Sequence, residues 1–105
     1  MRSYRPHLDE VARVDVGAET ETPGGWAYEV QIVWPDGVRT EHTITLSWAD
    51  HDHICAGAVP PSKVVEIMVE VLRRELDAEH VPPRLDASIA RRVIPDLDER
   101  IRARL

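Results

Sequence analysis

The segment from Trp26 to Trp48, WAYEVQIVWPDGVRTEHTITLSW, constrains the fold more than any other part of the chain, because its turn and its alternation demand the same strand pairing. Trp26, Tyr28, Val30, Ile32 and Trp34 fall on one face of an extended chain, and Ala27, Glu29, Gln31 and Val33 on the other. Pro35-Asp36-Gly37 reads as a three-residue turn: proline sets φ at the first corner, Asp36 takes the second, and Gly37 accepts the left-handed conformation of a bulge. Such a loop places Trp34 opposite Val38, and therefore Ile32 opposite Thr40, Val30 opposite His42, Tyr28 opposite Ile44 and Trp26 opposite Leu46. Slipping the pairing by one residue would turn Ile44, Leu46 and Trp48 to the wrong side. The result is a hairpin with an aromatic face that needs a cover.

The stretch Pro61 to about Glu79, PSKVVEIMVEVLRRELDAE, supplies that cover. Val65, Ile67, Val69 and Val71 alternate as in a strand, but the length, Pro61 at a first helical turn, Ser62 as a cap, and the Leu, Arg and Glu at the end favour a helix. At about 100° per residue, its apolar side chains from Val64 to Ala78 cover an arc of about 200°, wider than the stripe one sheet requires. The second flank is expected to meet the C-terminal helices or a second copy of the chain.

The remaining pieces complete an α+β reading. VARVDV, from Val11, sets Ala12, Val14 and Val16 on one face of a short strand, and GAETETPGG after it reads as an acidic loop. After the long helix, HVPPRLD is a rigid break, since a residue before proline is disfavoured in the helical region. Asp86 can cap ASIARRVI, with Ile89 and Val93 on one side, and LDERIRARL carries Leu97, Ile101 and Leu105 on one stripe. The expected architecture over residues 1–105 is a single α+β domain: a three-stranded antiparallel meander, one long helix across it, two short C-terminal helices, and a loose lead-in over residues 1–10.

Bulk properties narrow the function. A net charge of −6 argues against nucleic acid as a partner, because phosphate affinity comes from clustered Lys and Arg. From Arg84 onward six Arg face four acids, a net of +2 that leaves −8 for residues 1–83; twelve Arg against one Lys run through the whole chain, so the C-terminal Arg residues read as a solvated helical face. No apolar run approaches the roughly 20 residues that span a bilayer, and MRSYRPHLDE lacks the apolar core of a signal peptide. A single cysteine allows no intrachain disulfide, so a cytoplasmic setting is expected. The whole has the look of a small soluble bacterial domain.

Chemistry is concentrated in DHDHICAGAVPPS, residues 50–62. Read as extended, Asp50 to Cys55 would project His51, His53 and Cys55 to one side, three nitrogen and sulfur donors that make a weak candidate for zinc. Known zinc frameworks bring a second ligand pair from a distance, and only His7, His42 and His80 remain for that, so no cofactor is the expectation. Gly57 allows close backbone approach and Ser62 begins a helix, whose N–H groups and dipole favour an anion. There is no Walker loop, no GxGxxG and no nucleophile elbow. A Cys55 nucleophile with His51 or His53 as base is disfavoured, because residues two apart on one side of a strand diverge.

His42 stands on the apolar face opposite Val30, where a histidine needs a hydrogen-bond partner or a place near the sheet edge; contact with Asp50 or His51 requires the chain to fold back after Trp48. The three tryptophans read as core. The function expected from these residues is a non-catalytic interaction domain that forms a homodimer or meets another protein, since a short sheet has free edges and the helix has two apolar flanks. The alternative is a protein that binds a small anion or a metal through residues 50–62.

Overall fold

The computed structural model describes residues 12–105; the lead-in over residues 1–10 and the start of the first strand at Val11 lie outside the described residues. The fold is α+β. Strands β1 (Arg13–Thr22), β2 (Gly25–Val33) and β3 (Arg39–Ser47) form an antiparallel meander. Helices α1 (Trp48–Cys55) and α2 (Pro61–Glu75) follow, then a 3-10 turn (Ala78–His80), a short strand β4 (Arg84–Asp86), and helices α3 (Ala87–Val93) and α4 (Leu97–Arg102).

The hairpin has the expected register at every position, from Ile32 opposite Thr40 to Trp26 opposite Leu46. Its turn closes as the residue types require: Trp34 N donates to Val38 O at 2.8 Å, Gly37 N to Trp34 O at 2.8 Å, and Gly37 has φ 88°. Tyr28, Val30, Ile32, Ile44 and Leu46 are buried beneath α2, which crosses β1, β2 and β3. The second flank of α2 meets α4, whose Leu97 and Ile101 are fully buried, whereas Leu105 stays exposed. That flank is therefore covered within the chain.

Four expectations are corrected. The sheet has four strands, because β4 lies parallel to β3, pairing Thr43 with Arg84 and Thr45 with Asp86. The paired prolines hold the chain extended ahead of β4, and Pro83 O accepts from Thr43 N at 2.7 Å. Next, GAETETPGG is a turn only at Pro23 and Gly24: β1 runs on to Thr22, with a bulge between Val16 and Glu19 that leaves Gly17 and Ala18 opposite the single residue Glu29. The ladder hydrogen bonds offered by β2 outweigh the low strand propensity of that stretch.

Asp50 to Cys55 is helical rather than extended, since Ser47 Oγ accepts from Asp50 N at 3.0 Å and starts a helix. Finally, α2 ends at Glu75, where Leu76 turns to an extended ψ of 160°. Among the described residues no helix is long and apolar enough to cross a membrane.

Candidate functional site

Helix α1 disperses the side chains that an extended chain would have aligned. His51 and Cys55, four apart, share one side and close on the loop that follows: His51 Nε2 donates to Val59 O at 2.8 Å, and the Cys55 thiol donates to His51 O at 3.5 Å. The thiol thus faces carbonyl oxygens rather than a nitrogen base. The His51 ring also meets Trp26 edge-on, with centroids 5.3 Å apart. His53 points elsewhere, its Nε2 3.3 Å from Asp98 Oδ2 on α4. Among the described residues no group of three His, Cys, Asp or Glu side chains could hold a metal ion.

Asp50 is drawn into a network that ties α1 to both C-terminal helices. Arg91 Nη1 donates to Asp50 Oδ1 at 2.6 Å and Nη2 to Asp98 Oδ2 at 2.9 Å, all three side chains being mostly buried. Arg102 donates to the carbonyls of Ile54 and His53 at 2.8 and 3.0 Å, which satisfies the open C-terminal end of α1. Asp98 Oδ1 is buried without a protein partner.

His42 is buried, 4% exposed, and fully bonded. Its Nδ1 lies 2.7 Å from Pro82 O and its Nε2 2.7 Å from Thr40 Oγ1, which also accepts from Trp34 Nε1 at 2.8 Å. A carbonyl only accepts, so Nδ1 carries a proton and donates to Pro82 O, while Nε2 and the Thr40 hydroxyl share the second hydrogen bond. His42 therefore joins the hairpin to the segment before β4, and its bonds do not reach Asp50 or His51.

Gly57 serves a turn, with φ 78° and open space around it, directly after Ala56, which takes the same left-handed conformation at φ 51°. Ser62 lines a cleft of about 650 Å³ between β1 and the start of α2. Val14, Val16 and Tyr28 form its apolar side and Glu19, Lys63 and Glu66 its polar rim. Tyr28 donates to Glu19 across the bulge. Burial and, after it, the hydrogen bond to Glu19 hold the Tyr28 phenol well above its ordinary value. A second carboxylate is held in the opposite sense: burial alone would raise Asp86, but the hydrogen bonds from the Ser88 hydroxyl, Thr45 and the Ser88 N–H together take it below the usual range.

The sequence nominated Ser62 without the strand residues that complete its cleft, and it nominated His42 without Thr40 and Pro82. No known protein family, curated protein or solved structure matches this chain.

Proposed function

We propose that the chain is a non-catalytic interaction domain that self-associates. The observation that carries this reading is the exposure of three large apolar side chains on α1 and α3: Trp48, expected in the core from the sequence, is 56% exposed, Val93 53% and Ile89 41%. These helices leave the parallel strands β3 and β4 side by side, at the same end of the sheet, and Arg91 ties one to the other through Asp50. Ile89 and Val93 are one turn apart, so they extend a single stripe, and an apolar stripe on a folded surface favours association.

The support has moved from where the sequence suggested it, since the second flank of α2 is occupied by α4. Light scattering at micromolar concentration tests the reading. A dimer that reverts to monomer in the combined Trp48→Ser and Val93→Ser variant is expected; a strict monomer refutes it.

A further inference from the structure

β1 forms one margin of the sheet, so a row of its N–H and C=O groups has no strand partner among the described residues. Two clefts flank this margin at one register. The inner cleft lies between β1 and α2; the outer one, of about 280 Å³, lies on the open face of the sheet beside Glu29, Gln31 and Glu41. Asp15, Val16 and Gly17 line both. A strand laid along this margin sends successive side chains to opposite faces, so two neighbouring residues enter one cleft each.

Acidic side chains outnumber cations in both clefts. Asp15, Glu19 and Glu66 line the inner cleft, and Asp15, Glu29 and Glu41 the outer. The cations nearby are already engaged: Lys63 Nζ lies 3.4 Å from Glu66, and Arg13 Nε lies 3.0 Å from Asp15. A second copy of β1 fits poorly here. Antiparallel self-pairing over the regular stretch Arg13 to Gly17, centred on Asp15, sets Asp15 against Asp15, and like charges directly opposite are destabilising.

We infer that the free edge of β1 binds an extended basic peptide segment, which adds as a strand and places adjacent Lys or Arg side chains in the two clefts. Main-chain hydrogen bonds supply affinity in such an arrangement and the alternating clefts supply selectivity. The bulge after Val16 bends the edge, so the regular pairing is confined to Arg13 through Gly17 and the recognised segment is short. This inference rests on the reading of the chain as an interaction domain, but it is independent of the dimer.

The test uses the full chain and a fluorescein-labelled heptapeptide of the order valine, lysine, arginine, valine, lysine, arginine, valine. Saturable anisotropy is expected, with backbone amide shifts at Asp15 to Gly17. Replacing the valines by proline removes N–H donors at unchanged charge, and the affinity should fall at least about tenfold. The combined Glu29→Lys and Glu41→Lys variant, altered only at exposed positions, should weaken binding by a similar factor of about ten. Equal affinity for the proline peptide, equal affinity for a peptide with glutamate in place of lysine and arginine, amide shifts confined to α3, or no saturable binding each overturn the inference. A chain that binds the peptide on β1 yet stays monomeric refutes self-association and leaves the β1 site standing.

Discussion

Replacing Gly25 by alanine tests the packing of the meander at its tightest point. A Cβ at this position would lie 2.1 Å from Leu46 O, 2.7 Å from Ser47 Cα and 2.9 Å from Leu46 C. These are backbone atoms of the neighbouring strand, so no side chain can swing aside, and β2 and β3 must separate by roughly 1 Å to reach ordinary contact distances. Two routes are open. Bending the backbone in place costs about 4 kcal/mol for a 15° change in the N–Cα–C angle. The other route gives up the end of the ladder.

That end includes the Gly25–Ser47 pair, the 2.9 Å bond from Trp48 N to Gly24 O, and the Ser47 cap on α1. At about 1 kcal/mol for each hydrogen bond and cap, the loss comes to roughly 2–4 kcal/mol. The cheaper route sets the cost, and loss of chain freedom in the unfolded state returns up to about 1 kcal/mol of it. A net destabilisation of about 2–3 kcal/mol corresponds to a fall in Tm of roughly 10–25 °C for a domain near 100 residues.

Urea denaturation followed by circular dichroism measures this directly. The midpoint should fall while the slope stays constant, since a changed slope would signal an altered unfolded or native state. Gly24 is the internal control: nothing lies within 4 Å of its Cβ position, and Gly24→Ala should stay within about 0.5 kcal/mol of the parent. A Gly25→Ala protein within about 1 kcal/mol of the parent, or a Gly24→Ala protein equally damaged, refutes the argument.

Three further perturbations follow from the geometry. Ala56→Gly should raise stability by roughly 0.5–1 kcal/mol in the same denaturation assay, because a left-handed alanine at φ 51° carries a strain that glycine does not. Tyr28 is held above its unfolded value of about 10, so its contribution is complete below that pH and is lost as alkali approaches the raised folded value; denaturation at increasing pH above about 10 should show a decline that Tyr28→Phe reduces. Arg91→Ala leaves Asp50 and Asp98 facing each other with their shared partner gone, a loss of about 1–3 kcal/mol that Arg91→Lys recovers only in part, since one ammonium does not reproduce the two-pronged bond; no change in the urea midpoint would remove that role.

What the sequence discloses about this fold is governed by distance along the chain. The hairpin is legible because its constraints are local: Pro35, Asp36 and Gly37 choose the turn, and the alternation on each arm checks the choice. The start of α2 is legible for the same reason, through Pro61. Its end is not, since no glycine or proline follows until Pro82, and Arg100 of α4 meets Glu75 at 2.8 Å where the helix stops. Helix α1 has a local signal, Ser47 with Asp50 three residues on, but among its eight residues only Ile54 is buried, so no apolar stripe reveals it. A three-residue strand such as β4 has no period to detect.

The candidate residues divide in the same way. That His42 faces the core could be derived from register alone, whereas its partner Pro82 is 40 positions away. Asp50 meets Arg91 at a separation of 41, a pairing that composition and spacing do not encode. The histidines and cysteine of residues 51–55 are close in sequence, but the helical rotation keeps only His51 beside Cys55 and turns His53 toward Asp98.

The parallel pairing of β3 with β4 bears on how the chain reaches this state. Thr45 and Asp86 are 41 positions apart, with α1 and α2 between them, whereas the meander closes through tight local turns. Loop closure over that distance must precede the contact that rewards it, so the meander and α2 are expected to form first and β4 to dock late. Until it does, the apolar-alternating run Thr43 to Leu46 is a bare sheet edge, open to pairing with another chain. A segment far downstream of the meander is thus the one that closes off the aggregation-prone side of the sheet.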